Sequence, residues 1–269
     1  MAGPETQAKA VRRRVTWMHI VLFAFATAIS YVLAVVSSLI FPVLGAPGVS
    51  ALYLAAAIYV PLGIWMGMWG CLAGYISCFF LGLYSSGYTL IQSFIWSWAD
   101  FIEALLPFLI FKALAPDPDF TPKRPGAAKL LPWFIAAGTT ILFLGVVVQL
   151  LWGATYGEPF TTIYAVMVYL GLALACVGIA MGLIAGHART WLATILSVIA
   201  ASFGSGIWGA GTLTLWNLPP PLPAELFWPV FVGWVTGDLI VLSVISTALL
   251  VALTPIFKRT GLFVRGWWA

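Results

Sequence analysis

Long apolar segments separated by short breaks run through almost the whole chain. The first covers residues 17–41, and about 20 residues are enough to cross the ~30 Å apolar layer of a bilayer. The apolar core of a signal peptide is only about 7–15 residues long, so we interpret this segment as a retained helix. Similar segments predict helices over residues 89–113, 131–152, 161–185, 190–207 and 227–255.

The stretch from Val49 to Tyr84 contains no charged residue and is too long for one crossing. It suits two short helices with a turn somewhere from Pro61 to Gly70, and a re-entrant hairpin is the alternative. Residues 208–226 contain a run of prolines, so no regular helix is predicted there. The pattern therefore predicts an all-α, polytopic transmembrane bundle of about eight helices.

The composition agrees with a lipid environment. Hydrophobic residues make up 62% of the chain and charged residues 7%, whereas soluble domains carry roughly 25% charged residues. So few charges cannot cover a water-facing surface of this size. We expect the chain to lie in the cytoplasmic (inner) membrane as a multi-pass protein, with the lipid bilayer as its surroundings.

The positions of the basic residues predict the orientation. With eight helices, all of them fall on one side: Lys9, Arg12, Arg13, Arg14, Lys112, Lys123, Arg124, Lys129, Arg189, Lys258, Arg259 and Arg265. The loops of the other side carry only Glu158 and Glu225 as charges. The positive-inside rule therefore places both termini in the cytoplasm. Because the basic residues cluster between apolar runs, we interpret them as topology signals and expect no nucleic-acid binding.

A basic loop divides the chain into two parts. The predicted organisation is a cytoplasmic tail 1–16, a transmembrane domain 17–258 with halves 17–114 and 131–257 around a cytoplasmic loop 115–130, and a cytoplasmic tail 259–269. Both halves would start and end inside. A repeat, if present, would therefore be parallel rather than inverted.

Three acids interrupt otherwise apolar helices: Asp100, Glu103 and Asp238. Asp100 and Glu103 are three residues apart, so they share one helix face. A charged Asp at the bilayer centre costs about 2.5–3.5 kcal/mol, which predicts that these side chains face the bundle interior. No Lys or Arg lies within a span to pair with them. The counter-charge is a proton or a bound cation, and the alternative is a structural role for neutral, hydrogen-bonded acids.

Tryptophans accompany these acids. Trp96 and Trp98 precede Asp100, and Trp234 precedes Asp238. Tryptophan faces together with carboxylates suit a cationic organic ligand, whereas an interfacial aromatic belt is the alternative. We take the three tryptophans and the three acids as candidate substrate-binding residues.

Several kinds of chemistry have no support in the sequence. There is no GxxxxGK[ST] loop for ATP, no HExxH and no GxSxG. Three cysteines without a CxxC pair and two histidines do not indicate a metal or haem site. We therefore expect a protein that is not an enzyme, with no catalytic residue, no metal and no cofactor.

Two known groups of membrane proteins resemble this chain. Ala24 and Ala28 form a small-xxx-small pair in the first helix, and Gly45-Ala46-Pro47-Gly48 precedes a short second helix. The chain also has a small apolar body and no ATPase motif. In all these features it resembles the substrate-capture subunits (S components) of energy-coupling-factor vitamin transporters. That family has six helices, and its alanine motif contacts the coupling subunit. The resemblance implies that Ala24 and Ala28 pack against a partner helix.

The second resemblance lies near the C-terminus. Trp234-Val235-Thr236-Gly237-Asp238, with Thr254-Pro255 ending the helix, is similar to the closing pattern of eight-helix membrane-associated sensor domains in bacteria. We therefore hold two hypotheses. The first is a substrate-binding or transport subunit that captures a small cationic solute from outside and depends on other membrane subunits or an ion gradient for energy. The alternative is a sensory or scaffold subunit of a larger membrane complex.

Overall fold

The structure is a computed structural model, and it describes residues 15–43, 46–216 and 222–268. Parts of three predictions fall outside these residues: the basic tail up to Arg14, Gly45 of the first turn, and the prolines at 219–221. Within the described ranges the chain forms eight helices: α1 (Trp17–Ile40), α2 (Ala56–Met66), α3 (Met68–Ser85), α4 (Leu90–Leu114), α5 (Pro125–Gly153), α6 (Phe160–Ala185), α7 (Ala188–Thr214) and α8 (Ala224–Thr260).

The predicted all-α bundle is confirmed. Seven of the eight described helices are long and apolar enough to cross a membrane, and α2 is the exception. In the part of the chain that the structure describes, the only β pairing is an isolated bridge between Pro42 and Ser50. The protein is therefore a multi-pass helical membrane protein.

The second crossing combines a buried irregular segment with the short helix α2. Residues 46–55 lead into α2, and the chain then reverses at Gly67, inside the predicted turn region. Gly67 has φ +63°, which a residue with a Cβ rarely adopts. Irregular backbone at membrane depth is tolerated where protein covers it, and most of this segment is buried.

The Gly67 turn reaches the same face as the end of the chain. The Met68 amide donates to the Trp267 carbonyl over 2.9 Å, and the Trp65 ring stacks on Phe257 with centroids 4.2 Å apart. A re-entrant hairpin would turn back before reaching this face. The segment before α3 and α3 itself therefore make two separate passes.

One face of the bundle gathers the polar loops, and we call it the basic face. Lys258 pairs with Asp117 at 2.7 Å, and His187 contacts Asp119 at 3.1 Å. The Lys123 amide also donates to the carbonyl of Ala185. Burial acts to raise the pKa of Asp119, but hydrogen bonds from Thr121 and the nearby cations outweigh it, so this pKa lies below its ordinary value.

Three helix boundaries differ from those predicted. The loop expected to run to residue 130 ends earlier, because α5 begins at Pro125, where the fixed φ of proline suits a first helical position. α7 continues to Thr214, although residues 208–226 were predicted to be irregular. α8 continues five residues past Pro255 to Thr260. Prolines inside transmembrane helices are tolerated when neighbouring groups satisfy the freed carbonyl.

The two predicted halves interlock. α4 packs against α2 and α3 of its own half and also along α7 of the other half. α7 packs in turn against α8, and α5 pairs with α6 beside them. α4 therefore lies at the junction of the halves, and its side chains can meet those of α8 inside the bundle.

Candidate functional site

One face of α4 carries a row of buried polar side chains: Gln92, Trp96, Asp100 and Glu103. Their spacings of four, four and three residues place them on one side of the helix. Thr89 caps the helix by accepting a hydrogen bond from the Gln92 amide over 3.2 Å. The row thus runs from the face opposite the basic loops to about the middle of α4.

Each of the three acids accepts one hydrogen bond from a neighbouring hydroxyl. The Tyr53 hydroxyl donates to Asp100 Oδ2 over 2.8 Å, and the Ser205 hydroxyl donates to Asp238 Oδ2 over 2.9 Å. Tyr59 donates to Glu103 Oε2. The donors come from α2, the segment before it, and α7, so the site depends on the packing of the whole central bundle.

The second oxygen of each acid has no hydrogen-bond donor. Asp100 Oδ1, Glu103 Oε1 and Asp238 Oδ1 are all buried without one. The side chains of Trp234 and Cys78 lie within hydrogen-bonding range of Asp238 and Asp100, respectively. Glu103 and Asp238 lie within the same range of each other. Both are acceptors when ionised, so their contact becomes a hydrogen bond only when one of them carries a proton.

No basic side chain compensates these acids. The sequence has no Lys or Arg between residues 15 and 111 or between 190 and 257. The nearest in α4 is Lys112, whose ammonium lies over the Trp267 ring at 4.6 Å on the basic face. Three ionised carboxyls in this position would repel one another at low dielectric. A proton or a bound cation must therefore balance part of their charge.

A narrow pocket leads to Asp100 from the side opposite the basic face. It is lined by Gly48, Val49, Ser50, Tyr53, Trp96, Asp100 and Trp234. The Trp96 and Trp234 rings meet edge to face, with centroids 6.0 Å apart and planes at 83°. The pocket holds about 230 Å³ of free space including its mouth, and little of it is wider than a water molecule.

Gly48 allows the first turn to close over this pocket. Its φ is +79°, and a Cβ there would lie 2.3 Å from Ser86 Oγ and 3.1 Å from the Trp96 ring. The Tyr88 hydroxyl donates to the Pro47 carbonyl and holds the same turn from the other side. The segment that begins the second crossing therefore forms the lid of the pocket.

The structure brings most of the candidate residues together. Asp100, Trp96 and Trp234 line the pocket, and Glu103 and Asp238 lie behind it. Trp98 lies elsewhere: it packs on Tyr75 and Phe101 and is 38% exposed. Residues two apart on a helix differ in direction by about 200°, so Trp98 points away from the side that carries Trp96.

Ala24 and Ala28 lie outside this site. Both are exposed on α1, the least buried of the long helices. Their small side chains would let another helix approach closely. This position is compatible with the predicted partner contact, which remains a prediction.

Sequence reasoning missed several residues of the site. Tyr53, Tyr59 and Ser205 have no distinctive spacing, and their roles depend on how α2, the segment before it and α7 pack. Gln92 lies four residues before Trp96 on the same face of α4. The sequence does contain one signal for this arrangement, since Trp96-xxx-Asp100 and Trp234-xxx-Asp238 share the same four-residue spacing. In the structure the Trp96 and Trp234 rings meet at the pocket, which Asp100 also lines, whereas Asp238 lies behind it.

The described residues do not contain a group of three His, Cys, Asp or Glu side chains arranged to hold a metal ion. The pocket is instead lined by two tryptophans and an acid, residue types that suit an organic cation or an ammonium group. No protein-family model matches the chain, and neither a curated protein nor a solved structure matches it significantly. The class is therefore defined by fold and site: a multi-pass helical membrane protein with a buried acidic site.

Proposed function

We propose that this chain is a substrate-binding subunit of a membrane transport system that captures a small cationic solute from the face opposite the basic loops. The observation that carries the proposal is that Asp100, whose Oδ1 has no hydrogen-bond partner, lines a pocket together with Trp96 and Trp234. A carboxylate and two aromatic faces attract a cation, and burial strengthens that attraction.

The direction of capture follows from the position of the pocket. Its lid, residues 48–50, lies beside Ser86 and Trp96, remote from the basic face. The basic loops face the cytoplasm under the positive-inside rule, so the pocket faces outward. The lid must open to admit a solute larger than water.

The source of energy lies outside this sequence or in an ion gradient. No nucleotide-binding loop is present in the sequence. The exposed alanines of α1 support contact with a partner helix in the membrane, as the likeness to capture subunits implies. The alternative, a sensory or scaffold subunit, would suit acids whose oxygens are all hydrogen-bonded, whereas here one oxygen of each lacks a donor.

Calorimetric titration of the purified chain in nanodiscs tests this proposal. The probes are ammonium, methylammonium and guanidinium, with urea as the neutral counterpart of guanidinium. We expect at least one of the cations to bind and urea not to bind, because only a cation gains from Asp100. Equal binding of urea and guanidinium, or no binding of any cation, would contradict the proposal.

A further inference from the structure

Two of the three acids do not touch the pocket that would hold the solute. Glu103 lies about one turn beyond Asp100 on α4, and Asp238 approaches it from α8. Neither lines the pocket, and both are fully buried. Their role is therefore separate from direct contact with the solute.

The two carboxyls form a pair with too few donors. Tyr59 serves one oxygen of Glu103 and Ser205 serves one oxygen of Asp238. The remaining oxygens are buried without a hydrogen bond, and the carboxyls lie within hydrogen-bonding range of each other, with the Trp234 side chain also within range of Asp238. A single proton placed between them supplies the missing hydrogen bond.

The surroundings of the pair contain acids and weak acids but no base. The titratable groups that face it are Asp100 from α4, Tyr53 and Tyr59 from the second crossing, and Cys78 from α3. α7 contributes the neutral hydroxyl of Ser205. Among the residues that the structure describes, no cationic side chain shares these helix levels. The proton itself is then the group that keeps the pair from full ionisation in a low-dielectric interior.

We infer that Glu103 and Asp238 share one exchangeable proton, and that a cation binding beside Asp100 expels it. This inference rests on the proposed function and adds its coupling ion. When the cation enters, the O–H bond of the protonated carboxyl breaks, a carboxylate forms, and the proton leaves to water. One positive charge enters and one leaves, so the charge of the site is unchanged.

A line of polar groups offers the proton a way out. Gln92, Ser93 and Trp96 precede Asp100 on α4, and the side-chain amide of Gln92, the Ser93 hydroxyl and Trp96 Nε1 are buried without a hydrogen-bond partner. Unpaired buried polar groups are the kind that internal water satisfies. They lead from the acids toward the face from which the solute is proposed to enter.

Titration of guanidinium into the purified chain in buffers of different ionisation enthalpy measures the protons released per cation bound. Guanidinium keeps its own charge throughout, so any proton comes from the protein. We expect release of up to one proton per cation in the wild type. We expect much smaller release in Glu103→Gln and Asp238→Asn, each checked for folding by thermal unfolding. Glu158→Gln, which removes an exposed loop acid, is the matched control and should release as much as the wild type.

The wild type alone supplies a second measurement that needs no variant. If one proton leaves for each cation that binds, the apparent Kd for guanidinium falls up to tenfold for each unit of rising pH. Binding without proton release, and with a Kd that does not change with pH, overturns this inference while the proposed function stands. Absence of any cation binding overturns both.

Discussion

At Asp100, one carboxylate oxygen accepts a hydrogen bond from Tyr53 while the other, also buried, has no donor. A purely structural acid in a membrane interior would be expected to have both oxygens satisfied, because an unpaired buried polar group costs free energy. The Asp100 side chain lines a pocket together with Trp96 and Trp234. At the residue scale, this arrangement is the observation on which the proposed cation site rests.

The two tryptophans that precede Asp100 should behave differently. Trp96→Phe keeps an aromatic ring but weakens the attraction for a cation, so we expect guanidinium binding to weaken by about 0.5–2 kcal/mol. Trp98→Phe should leave binding unchanged, since Trp98 packs on Tyr75 and Phe101 away from the pocket. Calorimetry on both variants measures the difference. Equal losses in the two variants would argue against the pocket as the binding site.

The α7–α8 contact shows how an element positions the site. Gly209 of α7 lies against the Trp234 ring, and a Cβ at this position would come within 2.3 Å of it. Gly206 leaves similar room for Val235. These close approaches hold α8 so that Trp234 reaches Trp96 and Asp238 reaches Glu103.

Gly209→Ala tests this packing. We expect it to destabilise the protein by about 1–3 kcal/mol through overpacking and to weaken cation binding by displacing Trp234. Gly211→Ala on the same helix is the matched control, because nothing lies within 4 Å of a Cβ there. It should be neutral or stabilising by up to about 1 kcal/mol. Thermal unfolding and calorimetry measure stability and cation binding in both variants. Equal effects in Gly209→Ala and Gly211→Ala would contradict the close packing of α7 on Trp234.

Sequence reasoning predicts the elements better than their junctions. The apolar runs predict eight helices, six long and two short ones between residues 49 and 84, and the three-residue spacing places Asp100 and Glu103 on one helix face. The path of residues 46–55 into α2 does not follow from spacing, since this segment has no regular repeat and its position depends on what covers it. Tyr53 and Tyr59 depend on that path, so their roles could not be predicted.

On the scale of the whole molecule, contacts place the two ends of the described chain on one face. Phe23, near the start of α1, packs on Trp69, whose Nε1 donates to the Trp268 carbonyl. At this face the Gly67 turn and Lys112 contact Trp267 near the end of the chain, and the loop around Asp119 contacts the α6–α7 turn. Glu158 lies between α5 and α6, in the connection at the other face. The described chain therefore passes through the bundle an even number of times, and the positive-inside rule assigns the basic face to the cytoplasm.

Reporter fusions test this topology in cells. Fusions after Ala115 and after His187 should report the cytoplasm, because both positions belong to the basic face. A fusion near Gly157 should report the exterior. A cytoplasmic signal from the fusion near Gly157 would show that the number of passes or the orientation is wrong.

Removing the charge of Asp100 while keeping its shape is the most direct test of the proposed cation site. The measurement is guanidinium binding and thermal unfolding, made side by side on the wild type and on Asp100→Asn, with Glu158→Gln as a surface control. We expect Asp100→Asn to unfold at the same temperature as the wild type or higher, since a neutral amide costs less to bury, and to lose most of its binding. Unchanged binding in Asp100→Asn, with an intact fold, would contradict the proposed function and leave a structural role for the acid.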